Sequence, residues 1–270
     1  MTMKATVIGA AGFVGSHLTA KLLSLGFEVY CPEKGDSSVY TQPLGHLFYC
    51  AGITADFRSR PYDVVEAHTG YISRLLQHAD FDSLLYLSTT RLYQHAASTN
   101  EEANLTVNSN HREDIYALSK LLGESVCLCS NRDNVRVARL SNVVGDDFRS
   151  SNFIYSVMKD IMAQGSVTLQ STLDSEKDYV LIQDVVDALI HIALSGKQFI
   201  YNVASGINLT NQQLFDAWKV VRHFEYKIPP SAVRVYFEPI EIVRLCSEFG
   251  YHPSPCLPVI QQLITKNPYP

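Results

Sequence analysis

The sequence predicts an α/β fold in which helices cover both faces of one doubly wound parallel sheet. Short apolar segments alternate with amphipathic helical patterns through the first half of the chain, which is typical of strand–helix–strand units. The segments are apolar throughout, as expected of strands that are covered on both faces. Six strands are predicted, at Ala5–Ile8, Glu28–Cys31, His46–Ala51, Leu84–Ser88, Val135–Leu140 and Phe199–Val203.

Helical patterns lie between these strands. Apolar residues recur at helical spacing over residues 13–23, 64–76 and 115–126, which places each set on one face of a helix. Thr210 and Gln213 have the spacing of a capping box and predict the start of a later helix. Beyond Gly206 the alternation ends and prolines cluster. We therefore expect a core over residues 1–205 and a small C-terminal lobe over residues 206–270.

The composition argues against several classes of protein. The 270 residues carry a formal net charge of −5 at pH 7 without a basic stripe, so a nucleic-acid partner is not expected. No apolar run approaches the ~20 residues of a membrane span, and the first residues do not resemble a signal peptide. The six cysteines form no C-x-x-C pair, which indicates reduced thiols and predicts no metal site. We therefore expect a cytoplasmic protein.

A glycine-rich turn follows the first predicted strand and opens the first helix. Gly9, Gly12 and Gly15 have the spacing G-x-x-G-x-x-G. The first glycine permits a tight turn, the second lets the backbone approach a pyrophosphate, and the third lets the helix pack closely on the sheet. The free N–H groups of Phe13 and Val14, at the positive end of the helix, would then hold the phosphates. The turn therefore predicts a Rossmann-type dinucleotide site, although the standard spacing is G-x-G-x-x-G.

Glu33 comes directly after the second predicted strand. An acid at this position can bind both ribose hydroxyls of NAD and would repel the 2′-phosphate of NADP. Lys34 beside it weakens the discrimination, so the sequence predicts NAD and leaves NADP open. Only residues 34–45 separate Glu33 from the strand that begins at His46, which is too short for a helix, a strand and their loops. We therefore expect the third strand of a standard doubly wound sheet to be shortened or missing.

Tyr116 and Lys120 lie one helical turn apart on the same face of the third predicted helix. A nearby ammonium should lower the pKa of a tyrosine from its ordinary value of about 10. Such a pair can exchange a proton with a carbonyl or alcohol oxygen while a hydride moves at the attached carbon. Ser88 and Thr89 end the preceding strand, and the carboxyl ends of parallel strands line the cleft of an open sheet. Their hydroxyls can therefore bind the same oxygen.

The Tyr-x-x-x-Lys spacing occurs at two other places in the chain. One copy begins at Tyr30, inside a predicted strand, where these positions are not helical neighbours. The other begins at Tyr155, and no strand ending in hydroxyls precedes it. The copy at Tyr116 is therefore the predicted catalytic pair.

Several motifs together resemble the extended short-chain dehydrogenase/reductase family, in its nucleotide-sugar epimerase/dehydratase group. They follow the order of the family over nearly the whole chain, at Gly9–Gly15, Tyr49–Gly52, Leu87–Tyr93, Tyr116–Glu124, Arg139–Gly145, Lys177–Val185, Tyr201–Gly206 and Phe249–Pro253. The resemblance implies a Rossmann core that binds NAD(P), a small lobe that binds substrate, and a nucleotide-sugar as the substrate. Members of the family usually form dimers through a four-helix bundle, here made by the helices near residues 64–79 and 112–130.

The resemblance also implies a role for each matching residue. Tyr116 would be the acid and base, Lys120 would hold the nicotinamide ribose, and Thr89 would bind the reacting oxygen with Ser88 beside it. The implied cofactor contacts are Gly9, Gly12, Phe13, Val14, Gly15, Glu33, Ala51, Gly52 and Lys120. The implied substrate contacts are Thr90, Asn142 and Arg234, together with part of residues 143–180.

The chain departs from the family pattern at positions that affect the reaction. Dehydratases carry Asp-Glu after the catalytic Thr, whereas this chain has Thr90-Arg91, so dehydration and decarboxylation are disfavoured. His68 falls where an Asn is usual, and Lys177 falls where an Arg is common. An Arg-x-Gly-Asp run is missing from the C-terminal segment, which leaves Arg234 as the pyrophosphate candidate there.

These observations predict an oxidoreductase or epimerase that acts on a hydroxyl or keto carbon. The preferred interpretation is an epimerase or a 4-ketoreductase acting at C4 of a nucleotide-sugar, with Tyr116 as the acid and base. Two alternatives stay open. One is a reductase of a non-sugar ketone, which the missing Arg-x-Gly-Asp run would fit. The other is a catalytically inactive NAD(P)-binding sensor, against which the intact set of Tyr116, Lys120 and Thr89 argues.

Overall fold

The computed structural model describes residues 2–150 and 152–266, and its centre is a parallel sheet of six strands. The strands of this sheet are β1 (Lys4–Ile8), β2 (Glu28–Tyr30), β3 (His46–Tyr49), β4 (Ser83–Thr89), β5 (Val135–Leu140) and β9 (Ile200–Val203). They lie side by side in the order β2-β1-β3-β4-β5-β9. All six predicted strands are present, with small shifts at their ends, and the predicted doubly wound α/β class is confirmed.

The sheet ends at β2 because the link that follows it is short. Residues 31–45 are all described, and they contain one 3₁₀ helix at Ser37–Tyr40 and no strand. The carboxylate of Asp36 caps this helix by accepting the N–H of Ser38 at 2.9 Å. The third strand of a standard doubly wound sheet is therefore absent, as the length of the link predicted.

Helices cover both faces of the sheet. The helices of this part are α1 (Phe13–Ser24), α2 (Pro61–Val65), α3 (Tyr71–His78), α4 (Ile115–Leu128) and α6 (Ile182–Ser195). Apolar residues of α1 and α6 form one buried cluster with one face of the sheet, and those of α3 and α4 form another with the opposite face. A single π-helical turn at Glu66–Gly70 joins α2 to α3, a feature that the sequence pattern did not indicate.

A second apolar core begins directly after β5. It combines an internal segment with the C-terminal part of the chain. The internal segment contributes β6 (Asn142–Val144), α5 (Phe153–Gln164), β7 (Ser166–Thr168) and β8 (Glu176–Leu181). The C-terminal part contributes β10 (Asn208–Thr210), α7 (Asn211–Val221), β11 (Glu225–Lys227) and α9 (Cys256–Leu263), while α8 (Val243–Phe249) packs beside β9. The division of the chain at residue 205 stays a prediction.

Two small sheets and one buried tryptophan organise this second core. β6, β8 and β10 form a three-stranded sheet, and β7 pairs with β11. The predicted capping box opens α7, since Thr210 and Gln213 each bond the backbone of the other. Trp218 on α7 is fully buried and donates its indole N–H to the carbonyl of Ile260 at 3.0 Å. Within the described ranges, no helix has both the length and the apolar character that crossing a membrane requires.

Candidate active site

Three cavities of the described structure lie along the carboxyl ends of the parallel strands. The edge cavity, about 880 Å³, lies outside β2 and includes Glu33. The central cavity, about 540 Å³, is lined by the glycine turn, the end of β4 and the start of α4. The lobe cavity, about 330 Å³, is lined by Thr90 and by residues of β8. Neighbouring cavities share lining residues, Ala51 on one side and Asn142 on the other, so they form one continuous cleft.

The glycine turn between β1 and α1 requires glycine at two positions. Gly9 has a φ of +85°, and a Cβ there would lie 2.8 Å from the backbone nitrogen of Ala51. A Cβ on Gly15 would overlap the carbonyl oxygen of Gly9. The turn therefore brings the start of α1, the end of β1 and the loop after β3 into direct backbone contact, which is possible only without side chains.

The N-terminus of α1 is open to the central cavity. Gly12 is the N-cap and has no side chain, and the first turn, whose residues are all described, contains no acid. Phe13 and Val14 begin the helix, and with Ala51 and Gly52 they line this cavity. A helix N-terminus with free N–H donors favours an anion such as a phosphate. The turn therefore fits the pyrophosphate of a dinucleotide.

Arg149 adds a positive charge beside this turn. Its guanidinium donates to the hydroxyl of Ser16 on α1 at 3.0 Å and pairs with the carboxylate of Asp147. It lines the central cavity together with Gly12. Arg149 could not be predicted as a site residue, because nothing in the local sequence pattern indicates that the loop after β6 returns to α1.

The edge cavity contains Glu33 together with cations. Arg60 and Arg74 line it, and each is paired with a carboxylate on a neighbouring helical segment. Glu33 and Lys34 are both exposed, and neither has an ion pair within 4.0 Å among the described residues. The preference for NAD, with its free ribose hydroxyls, over NADP, with its 2′-phosphate, therefore depends on Glu33 and Lys34, two adjacent side chains of opposite charge.

Tyr116 is buried at the start of α4 and lines the central cavity. Its ring packs against those of Phe57 and His68, with centroids 5.5 Å and 5.4 Å away. Burial raises the pKa of Tyr116, while the hydroxyl of Thr89 and the charge of Arg91 act in the opposite direction. The phenol is therefore protonated at neutral pH.

The effect of Lys120 on the pKa of Tyr116 differs from the prediction. Among the described residues, Lys120 is not one of the groups that shift the pKa of Tyr116, so the predicted lowering by this ammonium is wrong for this structure. Its amine instead donates to the carbonyl of Leu87 on β4 at 2.8 Å. Burial lowers the pKa of Lys120 to about 8, against the opposing charge of Glu124. The ammonium therefore loses its proton in slightly alkaline solution.

Ser88 and Thr89 place two hydroxyls at the end of β4, and both line the central cavity. Thr89 accepts the N–H of Arg91 at 3.2 Å and so caps the 3₁₀ helix Thr90–His95. The hydroxyl of Ser88 is buried and has no hydrogen-bond partner among the described residues. A buried polar group without a partner costs about 1–3 kcal/mol, and a ligand in the central cavity could supply that partner.

His68 lies in the π-helical turn and connects three parts of the site. Its Nε2 accepts the N–H of Ile53 at 3.1 Å, which places the ring proton on Nδ1. Nδ1 then donates to the hydroxyl of Ser119 at 2.8 Å, and that hydroxyl donates to the carbonyl of Tyr116 at 2.9 Å. Burial lowers the pKa of His68 to about 2, so the imidazole is neutral and acts as a fixed bridge.

The predicted substrate residues are only partly brought together. Thr90 and Asn142 line the lobe cavity, and the amide of Asn142 donates to the carbonyl of Asp178 at 2.8 Å. Within the described part of the chain, Arg234 lies outside all three cavities and pairs with Asp174 at 3.2 Å. Arg234, which the sequence left as the pyrophosphate candidate, therefore does not line the cleft.

Arg91 and Lys177 line the lobe cavity, although neither was assigned to the site from the sequence. Arg91 could have been found, because it follows the strand end that carries Ser88 and Thr89. Lys177 lies on β8, and no local pattern shows which face of this strand meets the cleft.

An open parallel sheet, an uncapped glycine turn and a buried Tyr–Lys pair in one cleft define a dinucleotide-dependent enzyme of the Rossmann type. Residues 5–204 match the model of the NAD dependent epimerase/dehydratase family, and the chain belongs to that family. Its members are NAD(P)-dependent enzymes, as the resemblance implied.

The chain is also similar to individual proteins. The GDP-6-deoxy-D-mannose reductase of Pseudomonas aeruginosa is 27% identical over 268 residues, covering 87% of this chain and 85% of the relative. A solved structure of "RMD from Pseudomonas aeruginosa complexed with NADPH" has a TM-score of 0.78 and 21% identity, covering 97% of this chain and 98% of the other. "MoeE5 in complex with UDP-glucuronic acid and NAD" has a TM-score of 0.80 and 18% identity, covering 97% of each chain. The two structures establish the likeness of fold.

Proposed function

We propose that this protein is an NAD(P)-dependent epimerase or 4-ketoreductase that acts at C4 of a nucleotide-sugar. One observation carries the proposal. Tyr116, Lys120 and Thr89 line the same cavity as the glycine turn, so a proton-transfer group and a dinucleotide site share one space. A nicotinamide bound there supplies or accepts the hydride.

The side chains of the central cavity have separate roles in the proposed reaction. Tyr116 exchanges a proton with the oxygen on the reacting carbon, and the hydroxyls of Thr89 and Ser88 orient that oxygen. Lys120 holds the ribose hydroxyls of the cofactor. A tyrosine is protonated at neutral pH, so the phenol of Tyr116 can donate a proton to a keto oxygen. Both the ketoreductase and the epimerase need this donation, and both stay in the proposal.

The shape of the cleft supports a long substrate. The lobe cavity adds about 330 Å³ beyond the proton-transfer pair and is lined by polar side chains such as Gln94 and Asn142. A nucleotide-sugar could occupy both the central and the lobe cavity, whereas a small ketone would leave the second one to water. The relative from Pseudomonas aeruginosa is named as a reductase of a GDP-linked sugar, and MoeE5 was captured with a UDP-linked one.

A reductase of a non-sugar ketone is the second candidate. The position of Arg234 outside the cleft favours it, because a substrate without a diphosphate does not need that residue. For the cofactor we favour NAD, since Glu33 lines the edge cavity and two of the cations there, Arg60 and Arg74, are already paired, although the adjacent Lys34 is not among the described ion pairs.

We also propose that the protein forms a homodimer through the helices on the α4 side of the sheet. Tyr62, Val65 and Leu122 are exposed there, at 89%, 41% and 52%. Apolar side chains exposed on adjacent helices are typical of an interface between subunits.

The assay of the proposed function compares products. The dinucleotide that copurifies is identified by mass spectrometry, and the protein is then incubated with 4-keto nucleotide-sugars or with pairs of C4 epimers. A ketoreductase consumes NAD(P)H in proportion to product, whereas an epimerase interconverts the epimers with no net change in NAD(P)H. Reduction of simple ketones without any reaction of nucleotide-sugars would support the second candidate instead.

A further inference from the structure

Tyr93 lies on the 3₁₀ helix that follows the hydroxyls at the end of β4. Its side chain is buried and, in the described part of the chain, lines none of the three cavities. The helix opens at Thr89, whose hydroxyl accepts the N–H of Arg91 at 3.2 Å. The orientation of the Thr89 hydroxyl therefore depends on where this short helix lies.

One buried guanidinium contacts both this helix and α4. Arg139 on β5 donates from Nη1 to the hydroxyl of Tyr93 at 2.7 Å. Its Nη2 and Nε donate to the carboxylate of Glu124 at 2.7 Å and 3.0 Å. Glu124 lies on α4, about two helical turns after Tyr116. The elements that carry Thr89 and Tyr116 are therefore both held against the same residue of β5.

The hydroxyl of Tyr93 is also joined to β9. An arginine can only donate, so the proton of this hydroxyl is left to bond Oδ1 of Asn202, at 2.9 Å. The amide nitrogen of Asn202 donates to the carbonyls of Thr99 and Glu241 at 2.8 Å and 2.9 Å. Asn202 is fully buried. Each polar atom of these two side chains thus has a partner, and a fully satisfied buried network is rigid.

Thr89 and Tyr116 line the central cavity from different elements. Burial raises the pKa of Tyr116, and the hydroxyl of Thr89 is close enough to the phenol to act in the opposite direction. In the proposed reaction both groups contact the same substrate oxygen. A misplacement of about 1 Å can slow a reaction by about 100-fold, so the contacts that set the separation of these two groups affect turnover.

We propose that Tyr93 is a positioning residue, whose buried hydroxyl joins the 3₁₀ helix to β5 and β9 and so holds the hydroxyl of Thr89 beside the phenol of Tyr116. The inference rests on the proposed function, because it assigns Tyr93 a part in that reaction. A residue that only stabilised the fold would affect turnover whether or not the Thr89 hydroxyl is present. A positioning residue affects it only through that hydroxyl.

The test is a double-mutant cycle between Tyr93 and Thr89. Tyr93→Phe removes the hydroxyl and keeps the ring, which packs against Ala204 and Ile240. Thr89→Val removes the catalytic hydroxyl and keeps the shape of the side chain. The wild type, both single variants and the double variant are loaded with NADH and mixed with the UDP-, GDP- or dTDP-linked 4-keto-6-deoxyhexose. Loss of NADH gives the single-turnover rate of hydride transfer, and the dissociation constant of NADH is measured on the same samples.

Tyr201→Phe is the matched control for the loss of a buried tyrosine hydroxyl. Tyr201 lies on β9 and is fully buried. Its hydroxyl accepts the N–H groups of Lys197 and Gln198 at 2.7 Å and 2.8 Å and donates to Glu248 at 2.7 Å. The control therefore loses at least as many hydrogen bonds as Tyr93→Phe, and none of them involves the 3₁₀ helix.

Arg139→Lys breaks the same contact from the other side. A lysine keeps a positive charge for the carboxylate of Glu124 but cannot reproduce the forked donors of a guanidinium. The hydroxyl of Tyr93 then loses its donor while the ring and the buried charge pair remain. This variant tests the same contact if Tyr93→Phe does not fold, and thermal unfolding checks that each variant is folded.

We expect Tyr93→Phe to slow hydride transfer by roughly tenfold to a hundredfold, with the dissociation constant of NADH within about twofold of the wild type. Thr89→Val should slow it at least as much. Adding Tyr93→Phe to Thr89→Val should slow it further by less than about threefold, because the group that Tyr93 positions is already lost. Arg139→Lys should resemble Tyr93→Phe, and Tyr201→Phe should transfer hydride at close to the wild-type rate.

Three other results would overturn the proposal in different ways. A wild-type rate in folded Tyr93→Phe would show that the hydroxyl positions nothing. An equal loss of rate with and without the Thr89 hydroxyl, or a similar loss in Tyr201→Phe, would leave Tyr93 with a structural role only. If the wild type binds NADH but transfers hydride to none of the three 4-keto sugars, the proposed function itself fails, and this inference fails with it.

Discussion

Nδ1 of His68 lies 2.8 Å from the hydroxyl of Ser119, and through this hydroxyl the buried imidazole supports the carbonyl of Tyr116. The ring of His68 also packs edge-on against the ring of Tyr116. The π-helical turn at Glu66–Gly70 makes this possible, because it carries His68 toward α4 in the middle of an otherwise regular helical segment. The orientation of Tyr116 therefore depends on a neighbouring helix as well as on its own.

The first prediction concerns the hydrogen bonds of the His68 ring. His68→Leu removes both hydrogen bonds of the ring and leaves the N–H of Ile53 without a partner. The ring is fully buried, whereas the N–H of Ile53 is half-buried. The free energy of unfolding in urea should therefore fall by about 1–3 kcal/mol, and turnover should fall with it. His68→Asn can still accept from Ile53 and should retain more stability. An unchanged free energy of unfolding in His68→Leu would show that the bridge contributes nothing.

The second prediction concerns pH. Burial lowers the pKa of Lys120 to about 8, so its ammonium is present below that pH and is lost above it. The affinity for NADH should therefore decrease between about pH 7 and about pH 9, because a charged donor forms stronger hydrogen bonds than a neutral amine. Lys120→Met should bind NADH more weakly at neutral pH and show no such dependence. A pH profile shared by the wild type and Lys120→Met would assign the titration to another group.

The third prediction concerns the choice of cofactor. Glu33→Ala should narrow the preference for NADH over NADPH, because it removes the repulsion of the 2′-phosphate. Lys34→Ala is the matched variant on the adjacent residue, and it should weaken NADPH binding instead. Both are measured as the ratio of the two dissociation constants. A wild-type protein that already prefers NADPH would make the interpretation of Glu33 wrong.

The parts of the site that depend on short sequence spacing could be predicted. The glycine turn, the Tyr116/Lys120 pair and the hydroxyls at the end of β4 each lie within a few residues of one another, and the backbone geometry of a strand or helix fixes their relation. The missing third strand followed from chain length alone, because residues 34–45 cannot cross the sheet and return.

The rest depends on contacts between distant segments, which periodicity does not encode. Lys177 and Arg91 are far apart in sequence and line the same cavity only because β8 lies beside the cleft. Arg234 follows a proline-rich segment without a regular pattern, and the structure pairs it with Asp174 away from the cleft. The pKa of Tyr116 was misjudged for a related reason, since burial depends on the packing of Phe57 and His68 around it.

The fourth prediction concerns assembly. Leu122 lies on the outer face of α4 and is 52% exposed, so a charge there should disturb a dimer without disturbing the core. Sedimentation equilibrium should give a dimer for the wild type and a monomer for Leu122→Glu at the same concentration. Val221→Glu is the control, since Val221 is a similarly exposed apolar residue on α7, away from the proposed interface. A wild-type monomer would contradict the proposed interface.

The fifth prediction tests the assignment of Tyr116 through a second tyrosine with the same spacing to a lysine. Tyr155 is fully buried, and its hydroxyl donates to the carbonyl of Gly145 and accepts the N–H of the same residue, both at 2.7 Å. Tyr155→Phe should therefore lower the free energy of unfolding while leaving the turnover of the folded protein nearly unchanged. Tyr116→Phe should lower turnover and leave the free energy of unfolding nearly unchanged, because its ring packing is retained and only the transferable proton is lost.

The most direct measurement is the single-turnover rate of hydride transfer in these two variants, with cofactor affinity measured on the same samples. Proton transfer by a positioned group contributes about 10²–10⁴-fold, so the rate should fall by that factor in Tyr116→Phe while NADH still binds at the glycine turn. Tyr155→Phe should transfer hydride at close to the wild-type rate. A full rate in Tyr116→Phe together with a lost rate in Tyr155→Phe would contradict the catalytic assignment.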